Sequence, residues 1–541
     1  MARLGEKPRR KIRNNQIENA PTGITLPKRS LTYEHLVSID EAKQWTLPRG
    51  DIVFEKVEHH ELRNFETHEQ TCSFSHAVGP FHHWERHVSL EPQDGAVKVK
   101  EKITYDLAVP VWAPLFRFAL RRHLRRPPQT GKHPWWAPPQ TLTEQSAVVL
   151  SLLCVFALVG GYLGTLLTQT ITYAAEQFDA STLNQGQLLA AVRLGVLLSF
   201  LIAALADRKG RRKILLWALV GACVVSAASA LAPSMWWLGT AQTFARALST
   251  VVAIIIGVML AEEMPAGSRA FAVSVITMTA ALGAGLCVAN LLYADAAIWA
   301  WRIAFVLPLL AIIPCLRLAK GLPETTRFTR SLSRSTTSTN RRDFHWRRFI
   351  ILGCAGFLWS SFLAPAAQFL NEFLRTERDY SSALIAVFVI ATNTPGGIGI
   401  IVGGRLADMK GRKLIGVIGI AGGVFFTVVS YLVFGIPLWI ASIAAALIGA
   451  IAVPALAVYG PELFPTHQRG SANGGLQIVS VLGSSVGLLL VGWLSNVFDS
   501  IGTAMAVAAI GPIILLFVVW FAFPETARIE LEELNPGDRI A

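Results

Sequence analysis

Twelve apolar segments dominate the chain, at approximately 146–170, 186–206, 214–232, 236–261, 270–293, 299–320, 347–370, 383–404, 414–433, 437–460, 470–494 and 502–523. Each is close to the ~20 residues that a helix needs to cross the hydrocarbon layer. Lipid offers backbone groups no partner, so runs this long must cross as helices that satisfy their own N–H and carbonyl groups. An even number of crossings leaves both termini on one side. The basic clusters at 207–213, 316–348 and 408–413 fall on that side, and the positive-inside rule places it in the cytoplasm. Opposite loops such as Ala175-Glu-Gln-Phe-Asp-Ala180 are poor in base.

Composition agrees. Hydrophobic residues make up 52% of the 541, charged residues 16%, and mean hydropathy is +0.45, so charge must be concentrated outside the spans. Basic loops facing an anionic leaflet then account for the formal net charge of +13, with no need for nucleic acid. The 6 cysteines are scattered, five of them inside spans, and read as reduced packing residues.

The spans are organised by a repeat. Leu205-Ala-Asp-Arg-Lys-Gly-Arg-Arg-Lys213 returns as Leu406-Ala-Asp-Met-Lys-Gly-Arg-Lys413. At nearly the same offset Glu262, Pro265 and Arg269 return as Glu462, Pro465 and Arg469, and Pro323-Glu-Thr325 as Pro524-Glu-Thr526. An internal duplication into two six-span halves is the natural reading. At a membrane edge Asp207 and Asp408 can reach the end of a neighbouring helix. Gly210 and Gly411 permit a tight turn, and Arg208, Arg211, Arg212, Arg412 and Lys413 remain available as cations. With Gly404, Glu262, Arg269, Glu462 and Arg469 they form a candidate gating set that latches the halves in one state and releases them in another. The alternative is a topology signal alone.

Residues 1–30 are basic, apolar-poor and expected to be flexible, with no signal-peptide core after them. Residues 31–130 alternate like strands, as in Glu61-Leu-Arg-Asn-Phe65 and Val97-Lys-Val-Lys-Glu-Lys-Ile103, with Gln93-Asp-Gly95 as a hairpin turn. A basic amphipathic helix at 114–126 follows and can lie on the membrane surface. Gly79-Pro-Phe81, Trp84, His87, Pro92, Gly95, Tyr105 and that helix resemble the carboxy-terminal half of a START-like (polyketide cyclase/dehydrase, SRPBCC) domain, without its opening strand and short helices. The resemblance implies an antiparallel cup of the kind that holds apolar small molecules; a purely structural appendage is the other reading. His59, His60, His82, His83 and His87 invite a metal, but strand alternation splits neighbours between opposite faces, so none is expected. A Trp/Pro linker at 131–145 joins this segment to the spans.

The two halves, 146–322 and 347–523, resemble the major facilitator superfamily, with a central loop at 323–346 and a cytoplasmic tail at 524–541. The likeness rests on the loop signatures after the second and eighth spans, Pro-Glu-Thr-Thr-Arg327, Pro-Glu-Thr526 and the sugar-porter-like Gly460-Pro-Glu-Leu-Phe-Pro-Thr-His-Gln-Arg-Gly470. One departure is Ala203 where the first signature usually has the glycine that Gly404 supplies in the second. The expected fold class is thus an all-α membrane protein, twelve helices in two six-helix halves, preceded by a small cytoplasmic α+β segment. The resemblance implies alternating access around a central cavity lined mainly by the first, fourth, seventh and tenth spans.

No Asp or Glu lies in the central part of any span, so a carboxylate proton relay of the common kind is missing. The intramembrane charges are Arg193 and Arg246, at similar depth. Each must meet carbonyls, water, a polar side chain or a substrate anion. Gln169, Gln368, Asn371, Asn393 and Tyr459 complete the substrate-binding candidates, Gln368 and Asn371 sharing one helix face. The expected function is transport of a small polar metabolite, a sugar or organic anion, with or without a coupling ion. The competing readings are efflux of an apolar compound and a carrier joined to a soluble ligand sensor. No enzymatic activity, cofactor or metal is expected, and the partners are a small-molecule substrate and the lipid bilayer. A monomer is the expected state.

Overall fold

The computed structural model describes residues 29–60, 70–93, 96–128, 131, 133–180, 188, 191–192, 195–290, 297–325, 344–370, 373–374, 377–380, 382–466 and 468–535. Eleven helices among the described residues are long and apolar enough to cross a membrane. The first half contributes Glu144–Gln177 (span 1), Arg211–Ser229 (span 3), Met235–Glu263 (span 4), Arg269–Asn290 (span 5) and Trp301–Val306 with Pro308–Ala319 (span 6). Span 2 is described over Gly195–Lys209. The second half repeats the plan with Trp346–Gln368 (span 7), Ser382–Asn393 with Gly396–Lys410 (span 8), Arg412–Leu432 (span 9), Gly435–Ala457 (span 10), Arg469–Phe498 (span 11) and Ile501–Ala508 with Ile510–Ala522 (span 12).

Each half packs around its own apolar core, and exposed large side chains such as Leu489 and Phe521 face outward, as a lipid-bathed surface requires. Within the halves, spans 1 and 5 approach so closely that a Cβ on Gly283 would lie 1.9 Å from the Leu158 carbonyl oxygen. Spans 7 and 11 repeat the contact: a Cβ on Gly483 would lie 2.4 Å from the Phe357 carbonyl oxygen. Between the halves, span 5 packs on span 8 and span 2 on span 11. Gly404 in span 8 touches Ala270 and Ser274 of span 5, while its counterpart Ala203 is fully buried, so the departure from glycine is accommodated within a packed interior.

The extension is a five-stranded antiparallel sheet in the order β1-β5-β4-β3-β2, from Arg29–Val37 (β1), Phe54–His60 (β2), Gln70–Val78 (β3), Phe81–Gln93 (β4) and Ala96–Leu107 (β5). Helices Ile39–Trp45 (α1) and Ala113–Leu124 (α2) cover one face. The opening strand and short helix, unread in the sequence, are therefore present. β1 lies at the sheet edge with no residue fully buried, so its alternation of Leu31, Tyr33 and His35 is a weak signal. The hairpin between β4 and β5 forms as expected, with Gln93 opposite Ala96; the strand read at 61–65 and the segment 1–28 lie outside the described residues.

The helix-covered face is filled. Trp84, Phe81 and Tyr105 pack beneath α2, Phe74, Val88 and Val99 beneath α1. Between them buried Arg86 bonds Glu101 at 2.6 Å and Glu55 at 3.1 Å, and buried Arg49 bonds Asp51 at 3.3 Å. A carboxylate and an arginine are tolerated there only because each meets the other's charge. Burial pushes the Asp51 carboxyl up, but the His123 hydrogen bond and Arg49 outweigh it and hold it below the usual carboxylate range.

Candidate functional site

Gly210 and Gly411 adopt φ of 100° and 106°, a region that favours glycine, and each turns the chain sharply between two spans. A glycine start leaves the next helix without a side-chain cap. The missing acceptor comes from the end of the same half. Glu324 accepts the Arg211 N–H at 2.8 Å and the Arg212 N–H at 3.2 Å; Glu525 accepts from Arg412 at 3.0 Å and Lys413 at 3.2 Å. Both Pro-Glu-Thr motifs thus place a carboxylate on the positive end of span 3 or span 9. The equal offset of motif and loop was the available signal for this role, and it was not read.

The four arginines then converge with two glutamates. Arg211 meets Glu262 within the first half at 3.5 Å, and Arg412 meets Glu462 within the second. Across the halves the pairing is exchanged: Arg469 bonds Glu262 at 2.7 Å and Arg269 bonds Glu462 at 3.3 Å. Arg211 also donates to the Thr466 carbonyl and Arg412 to that of Ala266, again across the seam and at repeat-equivalent positions. All six side chains are buried. Asp408 accepts from Arg412 at 3.1 Å and, through its second oxygen, from the Phe271 N–H at 2.9 Å, so it spans from the end of span 8 to the start of span 5. Asp207 stands at the equivalent place near the end of span 2; its side chain lies outside the described residues. Lys413 and Arg212 contribute chiefly through their backbone N–H groups, although Arg212 also reaches the Ala319 carbonyl at 3.0 Å. Arg208 is exposed.

Two further segments close over this face. Arg269 reaches the Ile529 carbonyl at 3.1 Å, and Arg348 holds Asn535 at 2.8 Å, which ties the tail to both halves. The Trp/Pro linker does the same from the other end of the chain. Arg405 of span 8 donates to the carbonyls of His133 at 3.0 Å, Pro134 at 2.6 Å and Ala137. Three residues further on, Gln140 accepts the Gly267 N–H at 2.8 Å and bonds Ser268, both in the first half. The repeat counterpart of Arg405 is Ala204, so this tie has no partner by symmetry.

Buried, reciprocal ion pairs between two duplicated six-helix bundles are the arrangement of a family, and the comparison with known families agrees: the Major Facilitator Superfamily model matches residues 149–436 and 348–537. The chain belongs to the Major Facilitator Superfamily. A curated relative is the cis,cis-muconate transport protein of Acinetobacter baylyi, 25% identical over 351 residues that cover 61% of this chain and 83% of that protein. Among solved structures, a proton:xylose symporter bound to 6-bromo-6-deoxy-D-glucose is 18% identical, with a TM-score of 0.63, over 73% of this chain and 99% of that one. The human organic anion transporter of the superfamily is 14% identical with a TM-score of 0.55, over 69% and 99% of the two chains. Both structures share the fold. The extension lies outside the matched region.

The superfamily's transport path is where the remaining candidates divide. Arg246 of span 4 is exposed, and its Nη1 donates to the Gly164 carbonyl of span 1 at 2.6 Å. Gln169 is half-buried on span 1 and Gln368 exposed on span 7. Asn393 lines a cavity of about 400 Å³ among spans 7, 8, 9 and 10, together with Trp359, Thr392, Thr427 and Ser442. Arg193 and Asn371 lie outside the described residues. Tyr459 is fully buried in this structure, with its ring 4.7 Å from that of Phe523, beside the ion-pair network. It opens the short helix Tyr459–Leu463, still within the apolar segment Gly435–Leu463.

Proposed function

We propose that this carrier moves a small organic anion, such as an unsaturated dicarboxylate, by alternating access, and that the face bearing the ion-pair network is cytoplasmic and closed in this structure. The observation that carries the reading is Arg246: an exposed guanidinium between spans 1 and 4, in a protein whose spans hold no Asp or Glu in their central parts. A cation in a partly desolvated cavity attracts carboxylates more strongly than it would in water. The name of the curated relative, a muconate transport protein, supports the same class.

The gate is the network. Opening the cytoplasmic side separates span 5 from span 8 and span 2 from span 11, which breaks the Arg269–Glu462 and Arg469–Glu262 pairs and the Asp408 bond to the Phe271 N–H. A buried pair gains little net stability because desolvation offsets attraction, and water entering an opened seam resolvates the freed charges. The two states can therefore lie close in free energy, as a carrier needs.

The test is uptake of cis,cis-muconate, a related dicarboxylate and a neutral sugar into proteoliposomes. Arg246→Lys keeps the charge but loses the planar fork and should weaken anion flux substantially; Arg246→Gln should nearly abolish it. Flux of the neutral sugar that is unchanged by Arg246→Gln, without anion flux, overturns the anion reading.

A further inference from the structure

Helix α2 of the extension has one face packed and one face bare. Leu120 and Leu124 are buried against the sheet and Ala113 is buried at the helix start, while Leu115 is 71% and Phe118 76% exposed. Val111 ahead of them is 50% exposed and held at a φ of 69°, a left-handed conformation rare for a β-branched residue. At 3.6 residues per turn Leu115, Phe118 and Arg122 share a stripe, with Val111 in the turn just ahead of the helix and Arg121, Arg125 and Arg126 beside its far end, all exposed. The stripe runs from apolar to cationic along a single helix.

Its depth is set by contacts to span 1. The Trp112 Nε1 donates to the Ser151 carbonyl at 3.0 Å, and the Ser151 hydroxyl donates to the Pro110 carbonyl. Ala108 belongs to the apolar core of the first half, with Val109 and Trp112 packed against it. Ser151 lies seven residues into a helix that starts at Glu144, roughly 10 Å along its axis. The start of α2 is therefore held beside the transmembrane bundle at about the level where headgroups meet hydrocarbon. Trp135, 75% exposed in the linker, adds an indole of the kind that favours the same layer, and its neighbour Trp136 packs on His123 of α2.

We propose that α2 is an in-plane anchor, with Val111, Leu115 and Phe118 seated at the acyl border of the leaflet on the network side and Arg121, Arg122 and Arg126 on its anionic headgroups. An apolar stripe gains by leaving water, and each arginine near an anionic surface adds an attraction that salt screens. The same arginines would gain little on a neutral bilayer. Because the linker after α2 bonds both Arg405 and Gln140's partners in the first half, the anchor ties the closed gate to the charge of the membrane.

The full-length protein in nanodiscs tests this, with an environment-sensitive fluorophore on Phe118→Cys or, leaving Phe118 intact, on Leu115→Cys. The exposed native thiol is removed by Cys354→Ser. His87→Cys, on the uncovered face of the sheet, is the aqueous reference. In phosphatidylcholine containing phosphatidylglycerol, spin-labelled lipid should quench positions 115 and 118 and not 87, and aqueous iodide should do the reverse. Quenching by lipid should drop several-fold in phosphatidylcholine alone, and likewise for the combined Arg121→Gln, Arg122→Gln, Arg126→Gln variant. Labels as open to iodide as the reference would overturn the proposal. So would labels shielded from both quenchers, which means a protein cover, or equal lipid quenching in both mixtures.

Discussion

Glu262 shows how much one residue carries, because it serves Arg211 of its own half and Arg469 of the other while wholly buried. Glu262→Gln leaves two guanidiniums without that charge, and removing one partner of a buried pair costs about 3–5 kcal/mol of the closed state. A lowered unfolding temperature together with greater access of thiol reagents to the seam between the halves is expected, and an unchanged melting profile would show that the pair contributes nothing. Glu462→Gln should behave alike by symmetry. Exchanging charge in the pair across the seam, with Arg269→Glu and Glu462→Arg, should not restore the parent, since Arg412 would then face a cation. For Asp408→Asn the side chain can still accept the Phe271 N–H while losing its charge for Arg412. In a well-expressed double Asp207→Asn, Asp408→Asn variant, transport rate should fall more than membrane insertion; normal transport counts against the latch.

Among elements, the two helices that start at glycine depend on carboxylates from far along the chain. Glu525→Gln keeps an acceptor but loses the charge at the positive end of span 9, and a cap of this kind is worth about 0.5–2 kcal/mol. Gly411→Ala should be worse, since a Cβ would meet the Glu525 Oε2 at 2.8 Å in a backbone conformation unsuited to alanine. The linker brings a pH dependence. Burial holds the His133 imidazole below its usual range, aided by the nearby Arg405 guanidinium and opposed by a backbone hydrogen bond involving Asp51. A depressed value means the folded form binds its proton later than the unfolded one. The contribution is therefore complete above the ordinary histidine value of about 6.5 and is lost as pH falls through the lowered one. Protection from hydrogen exchange at 133–140, taken relative to the intrinsic rate at each pH, should fall between neutral pH and mild acid, and His133→Gln should flatten that response.

For the whole molecule, the extension contributes no span but packs against the first half through Ala108, Trp112 and Ser151. Residues 1–130 contribute no span, and the carbonyls that hold Arg405 lie beyond them. Deleting 1–130 should leave a carrier that inserts and transports. It should melt at a lower temperature, because Ala108 and Trp112 leave the first-half core and the Ser151 carbonyl loses its donor. A truncated protein that fails to insert would make the extension integral to the fold. The filled face of the sheet favours this mechanical role over a ligand cup, since Arg86, Glu101 and the rings of Trp84 and Phe81 occupy the space beneath the two helices.

By itself the sequence determined the number and order of the spans, the duplication, the side on which charge gathers and the charged residues that the ion-pair network draws on. These follow from composition and spacing, which act locally: an apolar run either can cross a bilayer or cannot, and a repeated motif announces itself. It did not determine which glutamate meets which arginine. Two copies of one motif carry the same residues at the same spacing, and nothing along the chain distinguishes a pair within a half from one across the seam. Only the packing of span 5 on span 8 and span 2 on span 11 decides that Arg269 meets Glu462 and Arg469 meets Glu262. The opening strand of the extension, the hold of the linker on Arg405 and the packing of Tyr459 on Phe523 were hidden for the same reason. Each depends on partners remote in sequence, which only the tertiary structure brings together.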